Sequence, residues 1–330
     1  MKIQKTLAKH AGLLYAKKIL PAGEKIDLDL DDSEVDQSGP ALVWLHMCAL
    51  HPDTREFLEN ETNMDELVID ALLAAETRPR ILVRKEGVML IVRAMNLHKN
   101  DKPEDMISLR IWIDNHRVIT TRRRDIMAIE DVKSAIEQGQ GPKSTGEFLT
   151  MITNRVYARM EPYVEDLDDR VARVEEFLAL SEAEESGEDN GLIRIRTAIF
   201  RRYINPQKNV LEGLIKGGFS WLSEENTEHL IESHDRVTRY IETLNDIRDR
   251  TQIINDEIDK LNNAKLNNTT YMFSVAATIF LPLSFLTGLM GINIGGMPGV
   301  EADMAFWMFS LFCIILVLFQ VFIFKKFKWF

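Results

Sequence analysis

The chain lacks most of what would mark an enzyme, a secreted scaffold or a nucleic-acid binder. Its 330 residues hold two cysteines, Cys48 and Cys313, one of them inside an apolar run, so no disulfide framework is available. It has no phosphate-binding G-x-x-x-x-G-K loop, no G-x-G-x-x-G after a strand-like run, no His-Glu-x-x-His and no G-x-S-x-G elbow, which leaves an enzymatic reading without support. Lys and Arg are outnumbered 40 to 51 and form no stripe, so nucleic acid is not an expected partner. Proline and glycine are absent from Ser223 to Leu281, which predicts one helix of roughly 65 residues, on the order of 100 Å long. Charge is absent from Leu266 to Val300 and again from Met304 to Phe324.

Those two uncharged stretches are the most informative feature present. A bilayer core needs about 20 apolar residues in a helix, and Tyr271 to Met290 and Met304 to Phe324 both meet that requirement. The loop between them carries Glu301 and Asp303 and no base, whereas Lys260 and Lys265 precede the first span and Lys325, Lys326 and Lys328 follow the second. Basic ends stay inside, so both termini are expected in the cytoplasm of a multi-pass inner-membrane protein. The apolar run Ala11 to Ala16 is too short for a signal-peptide core.

The organisation expected is a mixed α/β cytoplasmic region over 1–125 and a cytoplasmic helical region over 126–265. The first span covers 266–290, a periplasmic loop 291–303, the second span 304–324 and a basic tail 325–330. Strand-like runs are Gly12–Ile19, Ala41–Met47, Arg80–Arg84, Val88–Ala94, Ser108–Ile113 and Arg117–Thr121, with a helix at Asp65–Ala75. Ser144-Thr-Gly-Glu147 is a capping box opening one amphipathic stretch to about Leu180. A further helix runs from Leu192 to Lys216, interrupted at Pro206 and ended by Gly217-Gly218. Between Glu161 and Asp189 stand twelve acids against Arg170 and Arg173, read first as a solvated face and second as a field that gathers cations.

The long helix bears two stripes. Val237, Tyr240, Leu244, Ile247, Ile254, Ile258 and Leu261, with Thr251 in the gap, form a near-heptad apolar seam suited to helix packing. Offset from it, Asn267, Thr270, Ser274, Ala277, Leu281, Ser284, Gly288 and Gly291 recur at three and four, and all but Leu281 are small or polar. This second stripe extends back through Asn263, Lys260 and Asp256. Small residues in a membrane helix commonly serve close packing. Here the polar members are expected to need water as a partner inside the hydrocarbon, which favours a lumen. Two spans cannot enclose one, so several copies around an axis are required. Leu281 would form its hydrophobic constriction.

Gly291-Ile292-Asn293, followed by Met297-Pro298, lies directly after the first span, and the Lys-rich Lys325-Lys-Phe-Lys-Trp329 follows the second. With the long helix and the span Ala277-Thr-Ile-Phe-Leu-Pro-Leu-Ser-Phe-Leu-Thr-Gly288, this arrangement resembles the CorA family of divalent-cation transporters. The central residue is Ile292 where magnesium-transporting members carry Met, and Gly299 stands where they place Glu; Gly295-Gly-Met-Pro-Gly299 is similar to the zinc-transporting, ZntB-like branch. The resemblance implies an αβα cytoplasmic domain followed by long helices and a two-helix hairpin, assembled as a homopentameric funnel and pore. It implies no cofactor, only a transported ion: Zn²⁺, with Mg²⁺, Co²⁺, Ni²⁺ or Cd²⁺ as alternatives.

Five Asn293 amides would offer a ring of neutral oxygens to a hydrated ion, binding through its waters. Zinc prefers His, Cys or carboxylate, and the stripe has none, so the pore face does not itself select the metal. Glu301 and Asp303 would draw cations by field, and Asp256 is a further candidate ligand. His46, Cys48 and His51 are read as a buried His and Cys ahead of a zinc site. Alternatives are a magnesium or cobalt channel of the same build and a membrane-anchored sensor or structural protein.

Overall fold

The structure is a computed structural model of the chain. It describes residues 11–20, 24–27, 41–62, 64–99, 101–179, 183–292 and 303–327, with the side chains of 183–188 excepted. Its residues fall into two compact units, Met1–Asn255 and Asp256–Phe330.

The first unit is built on one seven-stranded sheet. Its strands are β1 Leu13–Ile19, β2 Lys25–Asp27, β3 Leu42–Cys48, β4 Arg80–Val83, β5 Val88–Ala94, β6 Ile107–Ile113 and β7 Arg117–Arg122. They lie in the order β2-β1-β3-β7-β6-β5-β4, and every pairing is antiparallel except β3 with β7. Val43, Leu45 and Met47 of β3 share a core with Phe57 and Leu58 of α1 (Pro52–Glu61) and Val68, Ile69 and Leu72 of α2 (Glu66–Leu73). Alternation sends Leu42, Trp44 and His46 to the other face, where the Trp44 ring meets Phe148 of α4 (Thr145–Ala158) at 4.9 Å. Helices on both faces make an αβα sandwich. Double coverage also explains why β6 is buried at all seven positions and shows no alternation.

β2 and α1 were not among the expected elements. β2 is three exposed residues, and α1 opens on His51-Pro52-Asp53, which reads as a turn but is a cap: the Asp53 N–H donates to His51 Nδ1 at 3.3 Å. After α3 (Met127–Glu137), the capping box forms as expected at Ser144, whose Oγ accepts from the Glu147 N–H at 3.1 Å. The stretch it opens is two helices, α4 and α5 (Glu161–Ala179), because Pro162 has no N–H for a continuing helix and stands in the first turn of α5. α6 (Ala183–Lys216) begins earlier than expected and runs through Pro206 without interruption. Gly218, at φ +59°, adopts the left-handed conformation that glycine tolerates just past a helix end.

α7 spans Glu224–Met290, 67 residues. Its seam is buried at Val237, Tyr240, Leu244, Ile247, Thr251 and Ile254, half-buried at Ile258 and exposed at Leu261. Arg250 beside the seam donates to Glu175 at 2.9 and 2.6 Å and to Asp168 at 2.7 Å, so two of the acids on α5 clamp the long helix. The bond from Arg250 holds Glu175 below the ordinary carboxylate range. α8 covers Ala305–Lys326; at 22 residues it is about 33 Å long, enough for a bilayer core.

Candidate functional site

In the unit Asp256–Phe330 the side-chain covering of α7 is one-sided. Val275, Ile279, Pro282, Leu283 and Leu286 are half-buried, while the rest of 271–290 is exposed. On α8 Phe324 is buried, and the half-buried residues include Phe309, Cys313, Leu316, Val317 and Gln320, with Ala305, Ser310, Val321 and Ile323 beside them. These mark the faces the two helices turn to each other. At about 100° per residue the covered face of α7 is centred roughly opposite Thr270, Ser274, Ala277, Leu281, Ser284 and Gly288. Those six, with Asn267, are all exposed, and Leu281 shows 72% of its surface.

Among the described residues one polar contact joins the hairpin, and sequence reading missed it. Pro282 has no N–H, so the Thr278 carbonyl four residues earlier loses its helical partner. Gln320 Nε2 of α8 donates to that oxygen at 3.3 Å. The signal was available: Gln320 is the sole amide in the second span, facing a span that carries an internal proline.

The hydroxyls modify one expectation. Ser274 Oγ donates to the Thr270 carbonyl at 2.9 Å, so its proton is satisfied within the helix and needs no water. The side chains of Asn267, Thr270 and Ser284 make no hydrogen bond among the described residues, and for them the requirement stands. Gly291 closes the helix, its N–H donating to the Thr287 carbonyl at 2.9 Å, and Ile292 after it is exposed. Asn293 and Glu301 lie outside the described residues. Asp303 and Asp256 are exposed, and Lys260 pairs with Glu257 at 3.0 Å.

His46, Cys48 and His51 are engaged separately. His46 is fully buried with Nδ1 2.7 Å from Thr120 Oγ1, and burial pushes its pKa down to about 3. His51 caps α1, and Cys48 is half-buried. Among the described residues no group of three or more His, Cys, Asp or Glu is placed to hold a metal ion.

The fold and the pair of apolar helices agree with what comparison with known proteins finds. The family described as CorA-like Mg²⁺ transporter protein matches over residues 40–326, and the chain belongs to it. It is 32% identical over 289 residues to the divalent cation transporter CmaX of Pseudomonas aeruginosa, covering 87% of each. It is 31% identical over 326 residues to the zinc transport protein ZntB of Pectobacterium carotovorum, covering 97% of each. The solved full-length CmaX superposes with a TM-score of 0.81 at 31% identity, over 96% of this chain and 98% of that one. The CorA magnesium transporter of Methanocaldococcus jannaschii shares the fold at 18% identity, with a TM-score of 0.78 over 96% of this chain.

Proposed function

We propose that this chain carries divalent metal cations, zinc foremost, across the inner membrane through a homopentameric pore lined by its first span. Asn293 stands at the outer mouth and both termini are cytoplasmic. The observation that carries the reading is the covering of α7: its partner helix takes Val275, Ile279, Pro282, Leu283 and Leu286 and leaves the small and polar stripe on the opposite side uncovered, together with flanking bulky residues such as Phe273, Phe280 and Phe285. A hairpin that served only as an anchor would gain most by burying its small face, because small residues let helices approach closely. Left outward, that stripe and the amide of Asn267 require either neighbouring copies or water, and a symmetric ring supplies both.

Zinc is favoured by the relatives named zinc transport proteins, which match over nearly the whole chain. CmaX, equally similar, is named for divalent cations in general and supports a second reading with wider selectivity that includes Mg²⁺ and Co²⁺. With no imidazole, thiolate or carboxylate on the stripe, the ion would pass with its water shell, held through outer waters by Asn293. The test is flux into liposomes containing the purified chain, measured separately for Zn²⁺, Mg²⁺, Co²⁺, Ni²⁺ and Cd²⁺, beside the mass of the oligomer in detergent. Zinc flux through a pentamer is expected. An intact oligomer that passes none of the five would leave the hairpin as an anchor.

A further inference from the structure

An acidic protein places three arginines around one cleft. Between α6 and α7, within the unit Met1–Asn255, a cleft of about 480 Å³ is lined by Arg194, Arg201, Arg248, Thr197 and Thr251, and among the described residues no carboxylate lines it. Arg194 and Arg201 are seven residues apart, two turns along one face of α6, and so project to the same side. Neither forms an ion pair among the described residues; Arg194 reaches only the neutral Gln252 amide, at 3.4 Å. Arg248 alone has a counter-charge, Asp249 at 2.7 Å. The contrast with Arg250, two residues along α7 and bound by Glu175 and Asp168, shows that this region supplies carboxylates where arginines are to be neutralised.

Two further polar groups are left unfinished there. Thr197 is 1% exposed, and its hydroxyl has no hydrogen-bond partner, although a helical threonine ordinarily bonds a carbonyl of the preceding turn. Arg201 Nε is likewise buried without a partner. A buried donor left unmade costs about 1–3 kcal/mol, so such groups call for an occupant. Ile195 forms an exposed apolar wall of the same cleft.

We infer that this cleft is a binding site for a small phosphorylated molecule. Its phosphate oxygens would be held by Arg194, Arg201 and Arg248 with the Thr197 hydroxyl, and its organic part would lie against Ile195. Guanidinium groups match phosphate oxygens in geometry as well as charge. Among the described residues, three of them against one carboxylate leave a net charge near +2, which suits a diphosphate or triphosphate over a monovalent ion, and the volume falls in the range of small-ligand pockets, about 300–1,000 Å³. The site lies outside the membrane unit, so occupancy would act as a cytoplasmic signal and not as part of the ion path.

The test uses the full chain in neutral detergent with a chelator present, so that no metal bridges ligand and protein, and titrates pyrophosphate and then a nucleoside triphosphate by calorimetry. Saturable pyrophosphate binding that weakens with salt is expected, with the triphosphate tighter through its organic part. The double substitution Arg194→Gln, Arg201→Gln should raise Kd about tenfold or more. Thr197→Val removes an unpaired hydroxyl, keeps the fold, and should raise Kd severalfold. Absence of saturable binding would overturn the inference, as would an unchanged Kd in both variants. So would displacement by chloride at equal concentration, or a double variant that folds but falls apart into single chains, which would assign the arginines to carboxylates of a neighbouring copy.

Discussion

His46 shows how completely one residue can depart from the chemistry its type suggests. It lies in a His-x-Cys-x-x-His run, yet it is buried on β3 beside the Tyr15 and Trp44 rings with Nδ1 on Thr120, which also accepts from Trp44 Nε1 at 2.9 Å. Burial lowers its pKa from 6.5 to about 3. The folded chain therefore refuses a proton that the unfolded chain accepts, so its contribution to stability is present above pH 6.5 and is lost progressively as pH falls toward 3. The slope for one such proton is about 1.4 kcal/mol per pH unit. His46→Gln should flatten the loss of thermal stability between pH 6.5 and 5 relative to the parent chain, and identical slopes would show that His46 is not held neutral. Asn293 is the opposite case, a residue whose proposed role rests on its place in the chain, directly after the first span. Asn293→Ala should abolish metal uptake while leaving the oligomer intact, as read by flux and mass on the same preparation; unchanged flux would remove it from the ion path.

At the scale of elements, legibility followed periodicity. The seam on α7 and the stripe beyond it were readable because 3.6-residue spacing survives over many turns, and the structure buries one and exposes the other. The break between α4 and α5 was not read because Pro162 falls among apolar spacings that continue on either side, and β2 escaped because three exposed residues carry no pattern. The Pro282–Thr278–Gln320 contact joins two helices 42 positions apart, which no local spacing encodes. It makes a prediction of its own. Gln320→Leu should weaken the hairpin by about 0.6–1.7 kcal/mol, the range measured for bonds between membrane helices. In a Pro282→Ala background, where the N–H at 282 again serves Thr278, the same change should cost almost nothing, and equal costs in both backgrounds would break the link. The faces themselves are testable by single cysteines in a background without Cys48 and Cys313. Positions 267, 274, 281 and 284 should react with small water-soluble thiol reagents, and the covered positions 275 and 279 should not. Reactivity without that periodicity would defeat the lumen.

For the whole molecule, a mixed α/β region was legible in strands rich in Val, Ile, Leu and Trp, and the αβα layering came only with the family resemblance; the order β2-β1-β3-β7-β6-β5-β4 was not legible, since register and crossover depend on contacts far apart in the chain. The charge distribution belongs to this scale too. The chain carries −11, yet both apolar spans are uncharged, and carboxylates reappear only in the loop between them, as Glu301 and Asp303, at the proposed outer mouth. A ring of acids at a mouth can act in two ways: by a field that concentrates cations, or by direct coordination of an ion that has shed water. The two differ in how salt affects them. A field is screened within about 8 Å at physiological ionic strength, whereas a coordinating oxygen at bonding distance is hardly screened. The absence of soft ligands along the stripe argues for an ion that keeps its water, and hence for the field. Neutralising both residues, Glu301→Gln with Asp303→Asn, should therefore lower uptake severalfold at low salt and low metal, with the deficit shrinking as either is raised. Flux into liposomes across a salt series reads this directly, and a deficit that stays constant with salt would place the metal on the carboxylates themselves.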